Sequence, residues 1–392
     1  MDEILFQYNP WWESADYLSP SLKPRNERVN QIARAHANRP LVFLTGIRRV
    51  GKSSLMRLLA NRLMENGVEA HRICYVSVDD YQLRDKNIMD IVSEYRKIHK
   101  LGRNRNITLL LDEITYKPDF QIQLKTLIDR EPVAIVASSS SSSLLNDARG
   151  RLTGRSTTIE VQPLSLEEYL QFKDIEVARR DSHLLDSYFK DYVSVGGLPE
   201  NVLKPERNYL MNLIDDIIQK DIAAFRGVRD HQVLRDYFTL LMERSGKQVS
   251  INKVANILGL SPDTSRRYLG FFEDTYLVQL VSRWGKTNER ILSPKKVYAC
   301  DLGMKHLFIG NRDWGSYFEN YVYHRIRKYQ QISYIRVDSI ELDFFTEDKT
   351  LIEAKYNADI EGKQAALYDS FEAKRKRVIR SVKEVETIDA MW

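Results

Sequence analysis

The stretch LVFLTGIRRVGKSSLMRLLANRL, residues 41–63, decides the reading of the first half of the chain. Leu41 to Leu44 is the all-apolar run of a short buried strand, and Leu55, Leu58, Leu59 and Leu63 recur at helical spacing. Between them Gly46-Ile47-Arg48-Arg49-Val50-Gly51-Lys52-Ser53 fits G-x-x-x-x-G-K-[ST]. A chance match in a glycine turn would lack the flanking strand and helix. Gly46 and Gly51 let the backbone bend until its N–H groups face a polyphosphate. The following helix N-terminus adds positive potential. Lys52 is placed to reach β- and γ-phosphates, Ser53 to hold Mg²⁺, and the loop's binding set extends to Ser54.

Working outward, NITLLLDEI (106–114) is an apolar strand ending in Asp112 and Glu113. An acid ending a buried parallel strand lies at the carboxyl edge, beside the phosphates. Asp112 is therefore expected to position Mg²⁺, and Glu113 to activate water as general base; an N-cap is the alternative for Asp112. HRICYVSV (71–78), PVAIVAS (132–138) and STTIEV (156–161) supply further strands. With helical stretches between them they predict an α/β parallel sheet of order 5-1-4-3-2, covered on both faces. No guanine-reading Asn-Lys-x-Asp is present, which favours ATP over GTP. The serine run from Ser138 reads as a loop or as a hydroxyl source beside Asp112 and Glu113, with Ser138 orienting water. Arg155, just before the fifth strand, is the candidate for contacting the γ-phosphate of a neighbouring subunit, which implies a homo-oligomer.

At 392 residues the chain has room for two or three domains. Its 43% hydrophobic and 29% charged content is that of a soluble globular protein. No apolar run has membrane-spanning length, and MDEILFQYNPWWE lacks the pattern of a secretory signal, so a cytoplasmic location is expected. Cys74 and Cys300 sit far apart in apolar runs, as two buried thiols would. A net charge of +5 permits nucleic-acid binding without arguing for it.

The order NPWWE, GIRRVGKSS, LLLDEI, a serine-rich strand end, LTGR and PLSLEEYL resembles a family of prokaryotic AAA-like ATPases. YVSVGGLPENVL, DDIIQKDI, VANILGLSPDTSRRYLGFFEDTYLV, KVYACDLGM, FENYVYHRI, ELDFF and IEAKY continue the resemblance through the second half. The resemblance implies that LxGR acts at a subunit interface, and that a C-terminal domain of uncertain role follows the ATPase. Where the family has Thr-Gly-Ser at the strand end, this chain has Ser138, Ser139 and Ser140.

Four regions are expected: an N-terminal segment plus ATPase domain (1–170), a helical linker or lid (171–235), a winged helix (236–285) and a small α/β restriction-endonuclease-like domain (286–392). A Gly-Gly turn followed by proline in DYVSVGGLPE (191–200) marks a boundary nearby. In the winged helix, Thr264 to Asp274 is the reading helix, with Arg266, Arg267 and Tyr268 as exposed candidates for DNA contact. In ELDFFTEDKTLIEAKY (341–356), a three-residue loop would place Asp343 opposite Glu353, with Lys355 on the same face as Glu353. Such a set can hold Mg²⁺ beside a phosphodiester and resembles a nuclease site of Asp followed by Glu-x-Lys. Glu319 adds a fourth group, a carboxylate on the mainly apolar helix face of Val322, Tyr323 and Ile326. The bland alternative is a half-exposed hairpin. The basic run KRKRVIRSVK (374–383) reads as a surface element that could follow a nucleic-acid backbone.

These observations predict a Mg²⁺-dependent ATP hydrolase coupled to DNA binding or processing. The alternative is an ATP-dependent switch or scaffold whose C-terminal domain is structural and binds a protein.

Overall fold

Leu41–Thr45 (β1) is buried at every position, as expected of a strand covered on both faces. The computed structural model describes residues 1–14, 22–142, 145, 152, 154–224 and 226–392. Ser143, Leu144 and Thr153, parts of the serine run and of LTGR, lie outside the described residues. The chain divides into two units, Met1–Gln162 and Pro163–Trp392.

In the first unit β1 is joined by Ile73–Ser77 (β2), Ile107–Asp112 (β3), Val133–Ser139 (β4) and Ser156–Glu160 (β5). All pairings are parallel, and the order is β2-β3-β4-β1-β5, the expected order read from the opposite edge. Helices Lys52–Glu65, Ile88–Ile98 and Phe120–Arg130 connect successive strands. Parallel strands need such crossovers, and the crossovers bury both faces of the sheet. Phe43, Val76, Leu109, Leu111 and Ile135 meet Tyr95, Leu124 and Leu127 in one core.

The edge strand β2 is closed by the N-terminal segment. Helix Asp2–Tyr8 ends at Asn9, which is fully buried. Tyr75 N–H donates to Asn9 Oδ1 (2.6 Å), and Asn9 Nδ2 donates to Tyr75 O (2.8 Å) and Leu5 O (2.7 Å). The side-chain amide thus gives Tyr75 both bonds that a neighbouring strand would give. Trp11 and Trp12 each donate an indole N–H to Ile73 O. An unpaired edge invites association with another chain, and NPWW removes that edge.

The second unit begins with helices Leu166–Phe172, Leu185–Val195 and Pro199–Leu203. Its seven-stranded mixed sheet has Gln248–Val249 (β6), Val278–Arg283 (β7), Lys295–Ala299 (β8), Ile332–Val337 (β9), Ile340–Thr346 (β10), Thr350–Ala354 (β11) and Arg375–Ile379 (β12). The order is β12-β11-β10-β9-β7-β8-β6, so strands on both sides of residues 285/286 share one sheet. Helices Ile251–Leu258 and Pro262–Asp274 lie between β6 and β7. Gly259 ends the first in the left-handed conformation, and Ser261 caps the second by accepting from Thr264 N–H.

The Gly-Gly turn has a packing reason. Gly197 N–H donates to Asp301 Oδ2 (2.6 Å), and a Cβ on Gly196 would collide with the same carboxylate. Asp301 also caps helix Leu302–Ile309 through Met304 N–H (3.1 Å). GGLPE and CDLGM, far apart in sequence, are two sides of one contact. Burial raises Asp301 above the ordinary aspartate range, against the pull of its backbone donors.

Two surface expectations change or settle. Tyr268 is buried rather than exposed, because its ring turns inward on the helix face shared with Leu269 and Phe272; it is not a DNA-contact candidate. Arg266, which is exposed, pairs with Asp263 (3.2 Å). The basic run supplies the edge strand β12 and the turn after it; Arg375 pairs with Asp348 and Arg380, just past the strand, with Asp359. Cys74 and Cys300 are buried free thiols.

Candidate functional site

The loop after β1 turns on two left-handed glycines, Gly46 (φ 139°) and Gly51 (φ 99°), with Arg49 also at positive φ. A Cβ on Gly46 would overlap the carbonyl oxygen of Val161, so only glycine fits there. Ile47 and Val50 are fully buried, which anchors the loop. Val50 N–H closes a turn on Ile47 O (3.3 Å). Arg48 is half-buried, while Arg49 is exposed. Gly51 is the N-cap of helix Lys52–Glu65, so Lys52, Ser53 and Ser54 form its first turn. Their amides belong to the group that an α-helix leaves without intrahelical acceptors.

Lys52 is buried and bends over the loop. Its Nζ donates to Gly46 O (2.9 Å), Ile47 O (3.2 Å) and Ser140 Oγ (2.8 Å). Asp112 ends β3, and Glu113 follows in the left-handed conformation (φ 52°), turning the chain at the carboxyl edge. Ser140 Oγ donates to Glu113 Oε1 (2.7 Å). One hydroxyl therefore links the loop lysine to the candidate base.

Ser138 lies beside Asp112 and Glu113, where the sequence reading put it. It is fully buried; its hydroxyl donates to Asp112 Oδ1 and accepts from Glu113 N–H (2.9 Å). Its proton is spent on Asp112, and the hydroxyl that donates to Glu113's carboxylate is that of Ser140. Sequence reasoning also missed Tyr75. Its OH donates to Asp112 Oδ2 (2.8 Å), and burial together with the Asp112 carboxylate raises its pKa. The only sequence signal for Tyr75 was its place in a strand expected beside that of Asp112.

Arg155 forms an ion pair with Asp129. The next residue, Ser156, pairs with Leu41, the first residue of β1. Arg155 is therefore at the amino edge of the sheet, roughly 13 Å of strand away from the phosphate loop at the other end. It cannot serve the loop of its own chain.

In the second unit Glu319, Asp343, Glu353 and Lys355 do come together. The hairpin loop is Glu347-Asp348-Lys349, with Lys349 left-handed at its last position. The pairs Phe344–Ile352 and Phe345–Leu351 run on to place Asp343 opposite Glu353. Asp343 N–H donates to Glu353 Oε2 (3.0 Å), and Lys355 Nζ donates to Glu353 Oε1 (2.8 Å). A residue not foreseen lies at the centre. Lys296 Nζ is 2.7 Å from Glu319 Oε1, 2.6 Å from Glu341 Oε1 and 3.2 Å from Asp343 Oδ1, and its side chain is 1% exposed. Burial works to lower its pKa, but Glu319, Asp343 and Glu341 outweigh it and hold the ammonium well above its ordinary range. Burial and Asp343 push Glu319 up to about 7. The signal available in the sequence was the alternation of Lys296 and Tyr298 on one face of KKVYA.

Residues 38–170 match the family described as an AAA domain, and residues 186–315 match a family described as a domain of unknown function. A Haemophilus influenzae protein described as uncharacterized is 24% identical over 340 residues, covering 83% of this chain and 84% of the relative. A Methanocaldococcus jannaschii protein, also described as uncharacterized, is 26% identical over 341 residues, covering 81% of this chain and 75% of the relative. Among solved structures, the Walker-type ATPase of Pyrococcus abyssi superposes with a TM-score of 0.50 at 15% identity, covering 74% of this chain and 97% of that one. No described helix is long and apolar enough to cross a membrane. The strand order, the glycine loop and the AAA match agree: the N-terminal unit has the fold of an AAA-like P-loop ATPase.

Proposed function

We propose that this chain binds and hydrolyses ATP with Mg²⁺. The observation that carries the reading is the link Lys52–Ser140–Glu113, which holds a phosphate-seeking cation and a carboxylate base at one end of a parallel sheet. The residues fit the metal. Ser53, in the first turn after the loop, would offer Mg²⁺ a hard oxygen, and Asp112, whose two oxygens accept from Ser138 and Tyr75, would position the ion through bound water. The ion would neutralise charge on the phosphate oxygens. Lys52 exchanges the carbonyls of Gly46 and Ile47 for β- and γ-phosphate oxygens. Glu113 takes the proton of a water whose oxygen attacks the γ-phosphorus, as the bond to the β-phosphate oxygen breaks. Ser140 aims the Glu113 carboxylate, and Tyr75 and Ser138 aim Asp112. Arg155 serves a neighbouring subunit, so the active form is a homo-oligomer.

For the task driven by hydrolysis, the reading from sequence is DNA binding or processing, with Arg266 and Arg267 of helix Pro262–Asp274 as contacts and 286–392 as a nuclease-like domain. The second reading is a switch whose C-terminal unit is structural and meets a protein partner. The buried Lys296 at the centre of the carboxylate cluster favours the second. The test is ATP turnover with and without duplex DNA, for the natural chain and for Lys52→Ala. Phosphate release should fall at least ~100-fold in the variant, since a charged group stabilising the transferred phosphoryl is worth several kcal/mol. Undiminished turnover would sink the assignment, and several-fold stimulation by DNA would restore the first reading.

A further inference from the structure

We infer that the carboxylate cluster of the second unit carries its own cation: the Lys296 ammonium holds the place a divalent metal would need, and no catalytic metal binds there. This inference concerns the second unit alone and stands whether or not the first turns over ATP.

Of the eight oxygens of Glu319, Glu341, Asp343 and Glu353, seven already face a donor. Glu319 Oε1 accepts from Tyr298 OH (2.7 Å) as well as Lys296, and Glu341 Oε2 accepts from Gln248 Nε2 (2.5 Å). Asp343 gives Oδ1 to Lys296 and Oδ2 to Ala354 N–H (3.1 Å). Glu353 gives Oε2 to Asp343 N–H, and Oε1 to Lys355 and to Gln364 Nε2 (2.6 Å). Mg²⁺ and Mn²⁺ need two or more oxygens at roughly 2.0–2.2 Å in regular geometry. Among the described residues no group of three His, Cys, Asp or Glu side chains could hold a metal ion.

The ammonium is also part of the architecture. β8 and β10 are three places apart in the sheet, with β7 and β9 between them. At ~4.8 Å per strand a flat sheet would hold them about 14 Å apart. The direct Lys296–Asp343 contact requires the sheet to bend, and β7 meets β9 through only two register pairs, Ser282–Ser333 and Arg283–Tyr334. Lys296 crosses the concave side of that bend and ties it to Glu319 on helix Trp314–Ile326. A buried pair of this kind is costly to break from one side, because it leaves uncompensated charge. An arriving metal would have to displace a lysine whose side chain is 1% exposed.

The test is a Mn²⁺ titration of the full, nucleotide-free chain, following free Mn²⁺ by electron paramagnetic resonance. In the natural protein we expect no Mn²⁺ binding tighter than about 1 mM, the weak end for oxygen-ligand sites, that Asp343→Asn changes. A sub-millimolar site lost in Asp343→Asn overturns the inference. Lys296→Met removes the ammonium and leaves Glu319, Glu341 and Asp343 around its place. This variant should gain Mn²⁺ affinity by at least 10-fold and a Mn²⁺-dependent rise in melting temperature absent from the natural chain. A folded Lys296→Met that gains neither overturns the claim that Lys296 stands where a metal would. Where Lys296→Met does not fold, the Asp343→Asn comparison decides alone.

Discussion

Replacing Asn9 by alanine should loosen the edge of the ATPase sheet. The substitution deletes three hydrogen bonds and leaves Tyr75 with a buried N–H and a buried C=O, neither of which has a strand beside it on that edge. A buried polar group left unsatisfied costs about 1–3 kcal/mol. Two such groups, partly relieved by entering water, give a loss of roughly 3 kcal/mol. For a unit of this size each kcal/mol moves the midpoint by about 2–4 °C, so the unit should melt roughly 6–12 °C lower. Peptide-level hydrogen exchange is the sharper assay. An opening free energy smaller by roughly 3 kcal/mol corresponds to about 100-fold faster exchange at β2. β9, in the other unit, should be unchanged and serves as the internal control. The effect should reach function, because β2 carries the Tyr75 hydroxyl that holds Asp112. Unchanged protection of β2, with a melting shift under about 2 °C, would refute the view that Asn9 acts as a surrogate strand.

Two further predictions concern the oligomer and the second unit. If Arg155 serves a neighbouring chain, mixing Arg155→Ala with Glu113→Gln protein should restore part of the hydrolysis that each lacks alone, since mixed interfaces combine one intact loop with one intact arginine; no recovery at any mixing ratio counts against it. Asp301→Ala orphans the amides of Gly197 and Met304 and should cost about 2–4 kcal/mol, read as a lower urea midpoint for the second unit with an unchanged slope. A midpoint within experimental scatter of the natural chain would mean that the Gly-Gly contact is not a structural lock.

Some of the site was legible because its chemistry is local. Gly46, Gly51, Lys52 and Ser53 lie in one loop, and a buried strand before it with a helical repeat after it leaves few alternatives. Asp112 and Glu113 were legible for the same reason. The hairpin register was legible only conditionally: a three-residue loop would place Asp343 opposite Glu353, and the structure supplied that loop. Which serine faces Glu113 was not legible: residues two apart in a strand share a face, so a run of serines gives no means of choosing between Ser138 and Ser140. Tyr268 was misplaced because an aromatic residue bearing a hydroxyl fits a wet or a dry helix face equally well.

The sequence by itself determined the phosphate loop, the acidic strand end and the order of the parallel sheet. Each follows from spacing along the backbone or from the handedness of connections. Tertiary structure alone decided what surrounds those groups. Asn9 reaches Tyr75 across 66 residues, Ser140 reaches Lys52 across 88, and Lys296 reaches Asp343 across 47. Those contacts depend on how the sheets bend and close, and nothing in a local pattern of residues announces that a buried lysine will stand among carboxylates expected to hold a metal.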